Sequence, residues 1–532
     1  MRKTQQPRSV FSRFVRAAEH FSSRPALEVG DQTISYERLL ELVSNIARTI
    51  KECESASRPL GAILAYRSVS AFAGVLGVLG AGKGYVPLSP YFPQERTKRM
   101  LSLSSANVVV GGSECLHLLG EILGDVHEQM TIILPDISDS EYVPRALHSH
   151  NVITSDKLCS GIAIPEVPMV SQESLAYMLF TSGSTGEPKI VPVSQGNVAS
   201  YVDNFCSICE VTENDRFSQN HDLTFDFSVH DMFVCWSRGA CLCCPPRESV
   251  MAPARFIKEK KLTMWASVPS VVACASRLKT LKPGAFPSIR FSMFCGEVLT
   301  AASARLWQEA TPNSLLANFY GPTEATVAIT CYRWAGEQSE EMCRNGIVPI
   351  GWMFGGQKGC IVNAEDQVAG PGQAGELCLS GSQVIDGYLD APENNARKFI
   401  KVPVLGEKTW YRTGDLAMQD EDGCLHYLGR IDDQVQVRGH RVELGEIDFV
   451  LRKAAGTEEA VAVPSLVNVS NADSIYAFVC GKRDRNDRDI LNYCREWLPD
   501  YMVPQRVYFV DGIPRNINGK IDRRRLIEEI RE

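Results

Sequence analysis

The sequence predicts an α/β protein with a large N-terminal domain of α/β subdomains and a small α+β C-terminal domain. Three observations predict it. The chain has 532 residues, more than one hydrophobic core ordinarily organises, so two or more domains are expected. Strand-like and helix-like segments alternate over most of the length. From about Gly355 the texture shifts to shorter β-like runs broken by Gly and Pro, and a charged, glycine-punctuated stretch, "YLGRIDDQVQVRGHRVELGEID", then leads into the C-terminal unit. The boundary is placed near Gly429 to Asp433, dividing the chain into residues 1–430 and 431–532.

Taken in order, Phe11, Phe14, Val15 and Ala18 recur at helical spacing and predict an amphipathic surface helix. The basic start lacks the apolar central run of a secretory signal; a transit peptide is the alternative. "GAILAY" (Gly61 to Tyr66) reads as a strand, and "SVSAFAGVLGVLGAG" (Ser68 to Gly82) as a buried helix, too short to span a bilayer. "NVVVGG" and "TIILPD" continue the strand pattern. "LTMWASVPSVVACASRL" reads as a strand, a turn at Pro269 and a helix. "IRFSMFCGEVLTAASARLWQEA" reads as a strand from Ile289, a Gly-Glu turn and a helix from Ala301. No internal repeat or long low-complexity tract interrupts this order.

The composition is 44% hydrophobic and 22% charged, with a formal net charge of -8. That is an ordinary globular balance, and it offers no basic footprint for nucleic acid. No stretch argues for a membrane. Eighteen cysteines sit scattered in apolar segments, as reduced thiols of a cytoplasmic protein do. Cys206 and Cys209, followed by Cys241, Cys243 and Cys244, could bind zinc; the favoured reading of "GACLCCPP" is a strand in which Cys packs as a small hydrophobe.

Four segments carry chemistry. In "TSGSTGEPK", Gly183, Ser184, Thr185 and Gly186 offer backbone N–H groups and hydroxyls that could wrap phosphate. It is not a Walker loop, because Glu187 and Pro188 separate Gly186 from Lys189; the plain alternative is a polar hairpin turn. In "NFYGPTEATVAIT", Tyr320 could stack on a purine, Thr323 could bond a phosphate, and Glu324 suits a hard cation such as Mg²⁺; the alternative is a Gly-Pro turn before a strand. Asp415 in "YRTGDLA" could accept from ribose hydroxyls, and Arg430 follows the next glycine. Lys520 in "NGKIDRR" follows a tight Asn-Gly turn; the alternative is a solvated lysine.

Each segment is weak alone. In this order, with "SYERL", "GAGKGYVPLSP", "TFDFSVHDMF", "GELCLSG…GY" and "LPDYMVP", the chain resembles the adenylate-forming superfamily. That superfamily holds acyl- and aryl-CoA synthetases, firefly-type luciferases and nonribosomal-peptide adenylation domains. Within it the chain is similar to stand-alone amino-acid adenylation enzymes such as D-alanine–carrier-protein ligases. The resemblance covers about residues 10 to 525. It implies a small mobile C-terminal domain joined by a hinge at Asp432. It implies that the loop of Thr181, Ser182, Gly183, Ser184, Thr185, Gly186 and Lys189 closes over the β- and γ-phosphates of ATP. Asn318 joins the nucleotide-binding set, Tyr320 lies against adenine, Asp415 holds the ribose, and Arg430 contacts ribose or phosphates. Thr323 and Glu324 belong to the catalytic set, with Glu324 binding Mg²⁺. Lys520 reaches in from the small domain to bridge the substrate carboxylate and the α-phosphate, screening two anions that repel. One departure is Gln436, where the family often has lysine.

The resemblance also suggests the acid. In amino-acid-activating members the Asp of the "FD" pair binds the substrate's α-ammonium; here that is Asp226. A buried carboxylate wants a charged partner, which an ammonium supplies; the alternative is that Asp226 caps a helix. Phe227, His230, Met293, Cys295, Phe319, Val327 and Ala328 match the family's specificity positions, and their bulk favours a small amino acid. The chain ends soon after Lys520 without a carrier segment. The expectation is therefore an ATP-dependent amino acid–carrier protein ligase. It forms aminoacyl-AMP and passes the acyl group to the phosphopantetheine thiol of a separate acyl or peptidyl carrier protein. The alternatives are an acid–CoA ligase for an amino-bearing or aryl acid, or a catalytically silent homologue.

Overall fold

A computed structural model describes residues 9–53, 58–159, 167–183, 188–406, 408–480, 486–515, 521–523 and 525–527. Among these residues the strands form four sheets. A nine-stranded sheet has a parallel centre built from Leu315–Tyr320, Phe291–Phe294, Met264–Ser267, Arg216–Ser218, Cys241–Cys244 and Pro25–Val29, with antiparallel strands at both ends. A seven-stranded sheet runs from Asn151–Thr154 through Leu60–Leu64 to Leu175–Thr181 and Lys189–Ser194. The last two pair antiparallel, so Thr181 faces Lys189 across the mouth of the "TSGSTGEPK" hairpin. A five-stranded antiparallel sheet centred on Thr409–Gln419 completes the large domain. The small domain has its own five-stranded sheet, whose first strand is Gln434–Val437.

The expected elements have physical causes. Helix Val10–His20 buries Phe11, Phe14, Val15 and Ala18 and is capped by Ser9, whose side chain accepts from Ser12 N. Helix Val69–Gly80 is buried on nearly every side, as its unbroken apolar run requires, and Ser68 caps it. Strand Met264–Ser267 precedes helix Ser270–Arg277, and strand Phe291–Phe294 precedes helix Ala301–Ala310, capped by Thr300. No described helix is long and apolar enough to cross a membrane. Cys241–Cys244 is a buried strand, and the cysteines singled out for zinc form no metal-binding cluster among the described residues.

The largest core cluster fills the space beneath the nine- and seven-stranded sheets and includes Phe11, Tyr36, Phe72, Tyr85, Tyr177 and Trp236. Its tightest helix contact is between Val69–Gly80 and Tyr36–Cys53. A Cβ on Gly77 would lie 2.4 Å from Ile46 Cγ2 and 2.8 Å from Ile46 Cβ, so the glycine sets how closely the helices approach. The small domain is tied back by a buried ion pair, Arg96 Nη1 to Glu446 Oε1 at 2.6 Å.

These distances decide a competition. Alanine at 77 would raise helix propensity by about 1 kcal/mol, but overpacking this contact costs about 1–3 kcal/mol. Gly77→Ala is therefore expected to lower the denaturation midpoint. A raised midpoint would mean that the two helices separate without cost.

Candidate active site

The parallel strands of the nine-stranded sheet deliver the candidate residues to one edge. Asp226 lies beyond strand Arg216–Ser218, Cys295 directly follows Phe291–Phe294, and Tyr320 ends Leu315–Tyr320. The carboxyl edge of such a sheet, where loops diverge, is where α/β proteins hold ligands.

Three residues predicted from separate motifs converge there. Tyr320 OH donates to Asp415 Oδ2 at 2.5 Å, and Arg430 Nη1 contacts Asp415 Oδ1 at 2.6 Å. Arg430 also forms two bonds to Asp432, at 2.6 and 2.7 Å. Gly414, at φ 78°, makes room: a Cβ there would meet Asp432 Oδ2 at 2.5 Å and Arg430 Nη2 at 2.6 Å. Burial lowers the arginine's pKa, but Asp415 and Asp432 outweigh it and hold the guanidinium charged. The three residues sit at a cleft also lined by Asn318, Tyr427, Gln434 and Gln436. Asn318 lines it with its amide bonded to the carbonyls of Val348 and Pro349. Gln436 carries a buried Oε1 without a hydrogen-bond partner among the described residues.

Glu324 is fully buried. Tyr388 OH donates to its Oε1 at 2.6 Å, and Arg441 Nη1 of the small domain lies 2.6 Å from its Oε2. Burial would raise this carboxyl's pKa; Arg441 and Tyr388 overcome that and bring it to about 2. Glu324 is thus a permanently ionised group that carries a cation. A single hard carboxylate completed by phosphate oxygens suits Mg²⁺, so the donor fits the metal once Arg441 is withdrawn.

The phosphate loop is described at its two ends. Thr181 presents a buried Oγ1 without a partner among the described residues. Ser182 Oγ donates to Arg441 O at 3.1 Å and accepts from Glu443 N at 3.0 Å. Lys189 Nζ pairs with Glu443 Oε1 at 2.9 Å. Ser184, Thr185, Gly186 and Lys520 lie outside the described residues, and Gly183 closes the described part.

Asp226 is buried and forms no ion pair among the described residues. It stands at the position before the short helix Phe227–Val229, and its side chain makes no N-cap hydrogen bond, although the Phe227 backbone N–H favours its ionised form. Burial raises its carboxyl to about 7, against a hydrogen bond from Thr323; Glu324 pushes further up and Arg441 pulls down. Phe227, Met293, Cys295, Phe319, Val327 and Ala328 are buried members of the largest core cluster, and His230 is a buried polar group. His230 Nδ1 meets Tyr201 OH at 2.8 Å, and burial drops its pKa to about 3, so the ring is neutral. Cys295 Sγ lies 3.9 Å from Val327 O.

Val327 is strained. It has φ 70°, and Thr326 before it has φ 56°, a conformation that costs a β-branched residue of order 1–3 kcal/mol. Gln383 holds the segment: Thr326 Oγ1 donates to Gln383 O at 2.6 Å, and Gln383 Nε2 donates to Ala328 O at 2.7 Å. Gln383, Tyr388, Arg441 and Glu443 were not among the residues expected from sequence. Tyr388 closes the "GELCLSG…GY" motif, and Arg441 and Glu443 stand in "RGHRVELGE", so the signal was there but without a partner to give it meaning.

The family model for AMP-binding enzymes matches residues 14–389, and that for the AMP-binding enzyme C-terminal domain matches residues 446–520. Tyrocidine synthase 3 of Brevibacillus parabrevis is 31% identical over 517 residues, 96% of this chain and 7% of that protein. Bacitracin synthase 3 of Bacillus licheniformis is 30% identical over 529 residues, 98% of this chain and 8% of that protein. The chain thus spans under a tenth of the length of either. The crystal structure of the Vibrio cholerae adenylation domain AlmE in complex with glycyl-adenosine-5'-phosphate matches with a TM-score of 0.90. It is 30% identical, covering 100% of this chain and 99% of that chain.

The Asp226 carboxyl generates a stability signature. With a folded pKa near 7 and an unfolded value of about 3.9, the native state binds more protons between those limits. Stability therefore falls as pH rises through that window. Between pH 5 and pH 8 the wild type should lose about 2–3 kcal/mol relative to Asp226→Asn. Denaturant melts at both pH values measure it, and a pH-independent gap between the two proteins would contradict an unpaired, buried Asp226.

Proposed function

The chain belongs to the AMP-binding enzyme family, and from that premise we propose that it activates a small amino acid with ATP. The product is the aminoacyl-AMP, whose acyl group passes to the phosphopantetheine thiol of a separate carrier protein. The observation that carries the amino-acid reading is Asp226: a buried carboxylate, raised to about 7, with no cation of its own. Such a group lacks a counter-charge that an α-ammonium supplies. Thr323 orients it. The glycyl-adenosine-5'-phosphate in the AlmE complex supports a small amino acid, as does the bulk of Phe227, Met293 and Phe319 around Asp226.

The other roles follow from charge and position. Tyr320 lies against the base, and Asp415, oriented by Tyr320 and Arg430, accepts from the ribose hydroxyls. Thr181, Ser182 and Lys189 meet the pyrophosphate end, together with Ser184, Thr185 and Gly186. Glu324 holds Mg²⁺, which offsets charge on the leaving pyrophosphate when bound. Lys520 bridges the substrate carboxylate and the α-phosphate. Asp432 is the hinge between residues 1–430 and 431–532. The side chains do no covalent chemistry; they align two anions and supply charge where they meet.

Amino-acid-dependent exchange of labelled pyrophosphate into ATP tests the reading. The screen takes both enantiomers of alanine, serine and proline, with glycine, β-alanine and aminobenzoates. Exchange with a small amino acid is expected, and none with any acid would sink the proposal. Asp226→Ala should raise the amino-acid KM steeply, and Lys520→Ala should suppress adenylation while sparing transfer from preformed adenylate.

The carboxyl near 7 also gives the reaction a pH signature. Asp226 must lose its proton to pair with an ammonium, so the amino-acid KM should rise as pH falls below about 7. The limit is tenfold per unit, and the ATP KM should not follow. A flat amino-acid KM from about pH 5.5 to about pH 7, the window just below that value, would remove the pairing.

A further inference from the structure

Among the contacts of the small domain with the large one is a short segment, Arg441 to Glu443, whose two charged side chains and two of whose backbone groups meet groups assigned above to Mg·pyrophosphate. The Arg441 guanidinium is 2.6 Å from Glu324. The Glu443 carboxylate is 2.9 Å from Lys189 Nζ and also accepts from Gln434 Nε2 at 3.0 Å. Ser182 is held between Arg441 O and Glu443 N. A cation sits where the metal would bind, and an anion where phosphate would.

We propose that Arg441 and Glu443 are an internal stand-in for magnesium and phosphate. The segment and Mg·pyrophosphate are mutually exclusive ligands of Glu324, Ser182 and Lys189. The inference rests on the adenylation reading and adds an order to it. While Mg·ATP or Mg·pyrophosphate holds those groups, the segment stays out; when pyrophosphate leaves, Arg441 and Glu443 take its place and the small domain adopts the position seen here.

Burial makes the exchange all-or-none. Side-chain exposure is 0% for Glu324, 15% for Arg441, 8% for Lys189 and 10% for Glu443. Removing one partner from such a pair leaves an uncompensated buried charge, which is strongly unfavourable. Glu324 and Lys189 therefore need a cation and an anion at all times. Swapping Arg441 for Mg²⁺ and Glu443 for phosphate keeps both satisfied, and a state with one swapped and the other not leaves a charge bare. Mg²⁺ alone or pyrophosphate alone should thus displace the segment poorly.

Hydrogen exchange on the full chain tests this, with Mg²⁺ alone, pyrophosphate with a chelator, and the two together. The peptide covering residues 440–446 should exchange about tenfold faster only with both. Calorimetry then compares affinities. Glu443→Gln and Arg441→Met remove the internal competitor, so each should bind Mg·pyrophosphate about tenfold more tightly than wild type; Arg441→Lys keeps the charge and should stay near wild type. Unchanged affinity in both variants would overturn the proposal, as would a segment that stays protected while wild type is saturated with Mg·pyrophosphate. Wild type that binds neither Mg·pyrophosphate nor Mg·ATP would overturn the adenylation reading together with it.

Discussion

A buried carboxyl group either gains a cation or holds its proton, and of two buried ones, Glu324 and Asp226, the first lies close enough to raise the pKa of the second. Their environments push them apart. Glu324 has an arginine and a tyrosine on its two oxygens and titrates near 2. Asp226 has a threonine hydroxyl and no cation, and titrates near 7. Paired acids separated in this way take different roles. In the function proposed above, Glu324 would be a fixed charge whose counter-ion is exchanged, and Asp226 a charge that forms only with its partner.

The fold supplies what those two groups require. Asp226 and the residues around Cys295 and Tyr320 reach the site from parallel strands, whose carboxyl edge leaves loops free to diverge. Arg441 reaches it from a different sheet in a different domain. The local geometry is costly: Thr326 and Val327 are held in left-handed backbone by the fully buried Gln383. That strain is concentrated between Glu324 and Ala328, where the chain turns sharply.

Much of this was legible in the sequence. The buried helix at 69–80, the amphipathic one at 10–20 and the strand–helix pairs after 264 and 291 follow from local periodicity and capping. Tyr320, Asp415 and Arg430 belong to separate motifs and meet within hydrogen-bonding distance. The rest depends on contacts distant in sequence. Arg441 and Glu324 are 117 positions apart, and Lys189 and Glu443 are 254 apart. Nothing local to "RGHRVELGE" states what its charges face. The same stretch read alone is a solvated, glycine-punctuated turn. The capping alternative for Asp226 was equally open from sequence, and the lack of an N-cap hydrogen bond from its side chain argues against it.

Gln436 joins these strands of argument. The sequence marks it as the place where a lysine common in the family is missing. In the small-domain sheet Gln436 and Arg441 are directly opposed cross-strand partners. Directly opposed residues share a face, and both line the same cleft. The positive charge absent from one strand therefore stands across from it on the next, 2.6 Å from Glu324. A lysine at 436 would set a second cation beside Arg441, and like charges directly opposite each other repel. With glutamine there, the small domain presents one cation to Glu324. Gln436 keeps an unpaired Oε1 toward the cleft, an acceptor that can bond a donor without competing for that carboxylate.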